Sequence, residues 1–148
     1  MTTLVVGIGS DLRSDDRAGR LVAERLVALG LPQVRVRSVI QLTPELAVDV
    51  AAAGAVVFVD ADPGVSEVTA REVAPAPAGS SAHHLTPAAL LALASSLGSE
   101  PATAHLVSVP ATDFGLGEDL SPIAAAGTDA AVDLITDHLR DGASLACS

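Results

Sequence analysis

The chain of 148 residues contains no lysine, tryptophan or tyrosine, and only two phenylalanines, one methionine and one cysteine. Without lysine, eight arginines face eighteen aspartates and glutamates, for a net charge of -10 at pH 7. That balance excludes a role built on binding nucleic acid or an anionic membrane surface. The lone cysteine, Cys147, rules out an internal disulfide and fits a reducing compartment. No apolar run approaches the roughly 20 residues of a membrane span. Met1 leads into an apolar stretch with no basic segment of a signal peptide before it. A soluble cytoplasmic protein is the expectation. With so few aromatics, the core has to be assembled from Ala, Val, Leu and Ile. Because 49% of the chain is apolar, disorder is excluded, and the length suits one domain over residues 1–148.

Short β-branched runs alternate with longer stretches of helical period, the pattern of βαβ units. Residues 4–8 read as a first, fully buried strand. Ala18, Leu21, Val22, Leu26 and Leu29 then fall on one helical face, and Gly30 and Pro32 stop the helix. Residues 34–40 alternate Val with Arg35 and Arg37, which predicts a strand toward a sheet edge. A second helix opens at Pro44 and runs to about residue 53. Residues 55–59 form a continuous apolar run of central-strand character that ends in Asp60. Residues 69–73 predict a short strand, and 74–82 a loop rich in Pro, Gly and Ser. A helix over about 86–97 follows, with Pro87 at its first position. Then come a strand at 106–109, a glycine-containing loop at 110–120, and a last helix over about 121–139. The fold class is therefore α/β: three layers, with a mostly parallel twisted sheet of about five strands and helices on both faces.

In open sheets of this kind the working crevice lies beyond the carboxyl ends of the strands. Three strand exits carry candidate ligands. The first reads Gly7-Ile8-Gly9-Ser10-Asp11-Leu12-Arg13-Ser14-Asp15-Asp16, the central one Asp60-Ala61-Asp62, and the third His83-His84. Gly7-x-Gly9 invites a dinucleotide reading, but Leu12 stands where the third glycine is needed, and three nearby carboxylates would repel a pyrophosphate. The two glycines still imply a tight turn with close backbone approach. Singly, Asp15 and Asp16 are explained as carboxylates in the first turn of a helix. Asp60 can be explained as a turn cap, and His83 and His84 as ordinary loop residues. A carboxylate from the first exit, another from the central exit and an imidazole from the third would nevertheless converge, as a set suited to a borderline divalent ion such as nickel or zinc. No nucleophile elbow, His-Glu-x-x-His motif or supported cysteine is present. His105 suits a packed or edge position, and His138 the negative end of the last helix.

The stretch from Leu4 through Gly9-Ser10-Asp11-Leu12 to Asp15-Asp16-Arg17-Ala18-Gly19 resembles the signature of the [NiFe] hydrogenase maturation proteases, usually G-x-G-N-x-L-x-x-D-[DE]-G-x-G. Further similar segments follow in order: Gln41-Leu42-Thr43-Pro44-Glu45-Leu46, Val57-Phe58-Val59-Asp60-Ala61, Ser81-Ala82-His83-His84-Leu85, and Val109-Pro110 through Asp113-Phe114-Gly115-Leu116-Gly117-Glu118 to Leu120-Ser121-Pro122. The resemblance implies an endopeptidase that removes the C-terminal extension of a [NiFe] hydrogenase large-subunit precursor after nickel insertion. It also implies that nickel arrives with the substrate, that no cofactor is permanently bound, and that the protein is a monomer. Carried over by position, Asp16, Asp60 and His83 would contact the nickel and serve catalysis. Asp62 and His84 stand by as substitutes should the correspondence slip. Two residues depart from the pattern: Ser10 replaces the usual Asn, and Arg17 replaces the usual Gly and could pair with Asp16. Two other readings stay open at this point, a hydrolase that keeps its own divalent ion in the same residues and a non-catalytic binding protein whose site Arg17 has closed.

Overall fold

A computed structural model of the chain describes residues 2–77 and 85–145. The chain alternates through β1 (Thr3–Ile8), α1 (Ala18–Leu29), β2 (Val34–Val39), α2 (Leu46–Ala52), β3 (Ala55–Asp62), β4 (Thr69–Glu72), α3 (Pro87–Ser96), β5 (Thr103–Pro110) and α4 (Pro122–Asp141), with a 3-10 turn at Ser14–Arg17 ahead of α1. The strands form one sheet in the order β2-β1-β3-β5-β4. The pairs β1 with β2, β1 with β3, and β3 with β5 are parallel, and β4 closes the far edge antiparallel to β5. The alternating arginines of β2 did mark an edge strand.

Side chains on a strand point alternately to the two faces, and here both faces are apolar. Leu4, Val6, Val56 and Phe58 pack with Leu46 and Val50 of α2 and with Leu90 and Leu91 of α3. On the other face Val5, Val57, Val59, Val107 and Val109 meet Val22 and Leu26 of α1 and Val132 and Ile135 of α4. Three layers result, as expected. Both later helices open on the anticipated signals. Thr86 Oγ1 accepts from the Ala89 N–H and Ser121 Oγ from the Ala124 N–H, and each cap is followed by proline at the first helical position. Among the described residues no helix is long and apolar enough to cross a membrane.

Several details differ from expectation, among them a β5 that starts at Thr103 and runs to Pro110. The second helix starts at Leu46, because Pro44 and Glu45 form a preceding turn in which the Pro44 carbonyl accepts from the Ala47 N–H. Leu29, the last residue of α1, is exposed, and Gly30 follows it in the left-handed conformation. The central strand runs on through Asp62, so Asp60 sits inside β3, opposite Ser108 of β5.

The start of α1 lies directly on the sheet. A Cβ at Gly19 would stand 2.4 Å from the Ile8 carbonyl oxygen and 2.5 Å from that of Val59, and one at Gly7 would stand 2.3 Å from the Gly19 carbonyl oxygen. The close approach anticipated for Gly7 is therefore real, and Gly19 is its partner. Gly19→Ala forces backbone against backbone and should cost about 2–3 kcal/mol in urea unfolding, within the range for overpacking. Gly30→Ala, with nothing within 4 Å of its added Cβ but a φ of 59°, should cost only about 1 kcal/mol.

Candidate functional site

The carboxyl ends of β1 and β3 are neighbours in the sheet, and each delivers one candidate carboxylate. After β1 the chain turns sharply at Gly9, where a Cβ would stand 1.9 Å from the Asp16 carbonyl oxygen, so the chain folds back on itself at van der Waals contact. Ser10 makes this turn as the replacement for asparagine should: its Oγ accepts from the Leu12 N–H at 3.2 Å. The Ser10 N–H donates to Asp16 Oδ2 at 3.0 Å, which orients that carboxylate over the exit of β1.

Asp60 comes from the adjacent exit. Burial pushes its carboxyl up to about 6; the Ala61 N–H works against this, while the negative charges of Asp16 and Asp62 add to it. Asp16 and Asp60 are thus electrostatically coupled across the two strand ends. Asp62 spends Oδ1 on the Gly64 N–H at 2.7 Å, closing the turn after β3, which makes it a turn former. His83 and His84 lie outside the described residues. Among the described residues, no three His, Cys, Asp or Glu side chains gather to hold a metal ion.

Asp15 behaves unlike its neighbour. It is fully buried. Its Oδ2 accepts from the N–H groups of Thr112 at 2.7 Å and Asp113 at 2.9 Å and from the Ser121 hydroxyl at 2.6 Å, while Oδ1 accepts from the Ser121 N–H at 2.7 Å. Burial alone would raise its pKa, but the hydrogen bonds from Ser121, Thr112 and Asp113 together hold it below the ordinary carboxylate value. The expected helix-dipole role therefore applies to a different helix, because Ser121 is the N-cap of α4.

Arg17 does not pair with Asp16. Its guanidinium donates instead to the Glu118 carbonyl, and Arg13 likewise donates to the Phe114 carbonyl at 3.3 Å. Among the described residues Asp16 has no ion-pair partner, which removes the basis for a site closed by Arg17. The contacts between the 12–17 segment and the 111–121 loop were not foreseen. In the sequence, their available signals were the Asp15-Asp16 doublet and the Ser121-Pro122 cap. The two remaining histidines stay apart from this region: His105 is buried on β5, and its ring meets that of His138 edge-on at 6.1 Å.

A scan against protein-family models finds no match, and neither does a comparison with curated protein sequences. Solved structures do match. The [NiFe] hydrogenase maturation protease HycI from Thermococcus kodakarensis KOD1 superposes with a TM-score of 0.73 at 28% identity, covering 95% of this chain and 93% of that one. The hydrogenase maturating endopeptidase HybD from E. coli gives a TM-score of 0.73 at 24% identity over 96% of this chain and 94% of that one. A hydrogenase 2 maturation peptidase from the Thaumarchaeota archaeon SCGC_AB-539-E09 gives 0.70 at 24% identity over 95% and 99%. The five-stranded α/β sheet with helices on both faces is thus a fold shared with peptidases. In fold, and at 28% identity in sequence, the chain is similar to the [NiFe] hydrogenase maturation proteases.

The buried charge at Asp60 has a pH signature. Its folded-state pKa of about 6 lies above the ordinary 3.8, so between those values the folded state holds the proton more firmly, and stability falls as pH rises through the window. Asp60→Asn should melt roughly 5–10 °C above the parent at pH 8, equivalent to about 2–3 kcal/mol. The difference should fade to nothing near pH 4, a comparison that thermal unfolding at the two pH values makes directly.

Proposed function

We propose that this protein is an endopeptidase that removes the C-terminal extension of a [NiFe] hydrogenase large-subunit precursor once nickel is in place. Nickel in this reading belongs to the substrate, and Asp16, Asp60 and His83 are the residues that meet it. The observation that carries the reading is the pairing of Asp16 with Asp60 at adjacent strand exits: the charge of Asp16 adds to burial in making Asp60 costly to ionise, and Arg13 and Arg17 of the first exit donate to backbone carbonyls instead. A divalent ion arriving between them offsets that repulsion and turns a costly pair into a favourable one. An ion held at the scissile bond supplies Lewis-acid activation of the carbonyl, with water as the attacking species, which suits a chain whose motifs offer no serine or cysteine nucleophile. The residues of this chain bind the ion's face and orient the precursor. The likeness to a maturation protease at 28% identity over 95% of the chain supports the choice of substrate.

Incubation with a large-subunit precursor should shorten it by its C-terminal peptide only when the precursor carries nickel, as a mobility shift and intact mass will read. Asp16→Ala, Asp60→Ala and His83→Ala, each checked for folding by circular dichroism, should bring product below detection. Cleavage of a nickel-free precursor at the same rate would count against the reading.

A further inference from the structure

Asp16 is the residue the proposed reaction asks most of, yet its backbone lies in a short 3-10 turn, an element with poor internal hydrogen-bond geometry. Something outside the turn has to fix it. The 12–17 segment and the 111–121 loop are joined by a dense set of bonds. The Asp15 N–H donates to the Asp113 carbonyl at 2.8 Å, the Ser14 N–H to the Gly117 carbonyl at 3.0 Å, and the Gly117 N–H to the Leu12 carbonyl at 3.1 Å. Arg13 and Arg17 donate to the Phe114 and Glu118 carbonyls from either side. At the centre of this seam the Asp15 carboxylate, wholly buried, gathers both ends of the loop: Thr112 and Asp113 where it leaves β5, and Ser121 where it enters α4.

Consecutive residues of a 3-10 turn project about 120° apart. Asp15 therefore faces the loop while Asp16 faces the strand exits, where the Ser10 N–H holds its Oδ2. A wholly buried carboxylate is a costly way to fill space, since an apolar side chain would pack there without desolvating a charge. It is suited to collecting backbone donors that an irregular loop leaves without partners. We propose that Asp15 is the positioning residue of the site: by binding the 111–121 loop to the turn, it fixes the Asp16 carboxylate beside Asp60. The role rests on Asp16 acting in the reaction as set out above.

The test compares Asp15→Asn, Ser121→Ala and Ser121→Thr with the parent and with Asp16→Ala, using nickel-loaded precursor at a temperature well below every melting point. Asparagine turns an amide toward donors and cannot take all four bonds, and Ser121→Ala removes the hydroxyl alone. Both should stay folded, with kcat per folded molecule reduced about 10- to 100-fold, as expected when a reacting group is misplaced by about 1 Å. KM should move little, and Ser121→Thr should restore the rate. Should Asp15→Asn fail to fold, the Ser121 pair decides. Lower melting temperatures with an unchanged kcat in the folded variants, while Asp16→Ala is inactive, would overturn the positioning role and leave the proposed function standing. Full activity of Asp16→Ala would overturn both.

Discussion

At Gly19 the backbone of α1 sits against the carbonyl oxygens of Ile8 and Val59 with no room for a methyl group, and at Gly9 the chain returns to touch the carbonyl of Asp16. These two contacts tie the beginning of α1 to the ends of β1 and β3 at a separation no other residue type permits. The 3-10 turn is thereby wedged into the notch between the strand ends, and Asp16 and Asp60 are brought within electrostatic reach of each other. The sheet, with apolar packing on both faces, is the rigid base on which that closeness depends.

Three neighbouring carboxylates then acquire three characters from their surroundings. Asp15 is surrounded by donors and held in its charged form. Asp60 is partly buried beside other negative charges and pushed toward its neutral form. Asp16 is anchored by a single N–H from Ser10 with its other oxygen uncommitted among the described contacts. Divergent environments for like groups are how a protein separates structural from chemical duties without changing the residue type.

The layered architecture was legible because its signals are periodic: alternating faces in β1 and β3, the arginines of β2, and proline-marked starts for α3 and α4. The nearness of Asp16 and Asp60 was legible for a related reason, since parallel neighbours such as β1 and β3 present their carboxyl ends at one edge. The division of labour between Asp15 and Asp16 was not legible. They are adjacent, chemically identical and equally placed for a helix dipole, and only the return of a loop nearly a hundred positions later distinguishes them. Arg17 misled for the same reason: a sequence puts it beside Asp16, whereas its partner, the Glu118 carbonyl, is remote in the chain. His83 falls outside the described residues and rests on the sequence reading and the resemblance.

Both borders of the sheet are guarded. On β2, Arg35 and Arg37 project outward and share Asp49 of α2 at 3.7 and 2.6 Å. On the opposite side β4 is only four residues long and ends in exposed Arg71 and Glu72. Fixed charge along one border and brevity along the other deny an approaching strand a clean apolar template. For a chain that is 49% apolar and almost without aromatics, this discourages edge-to-edge aggregation and leaves the loops at the strand ends as the approachable face of the molecule.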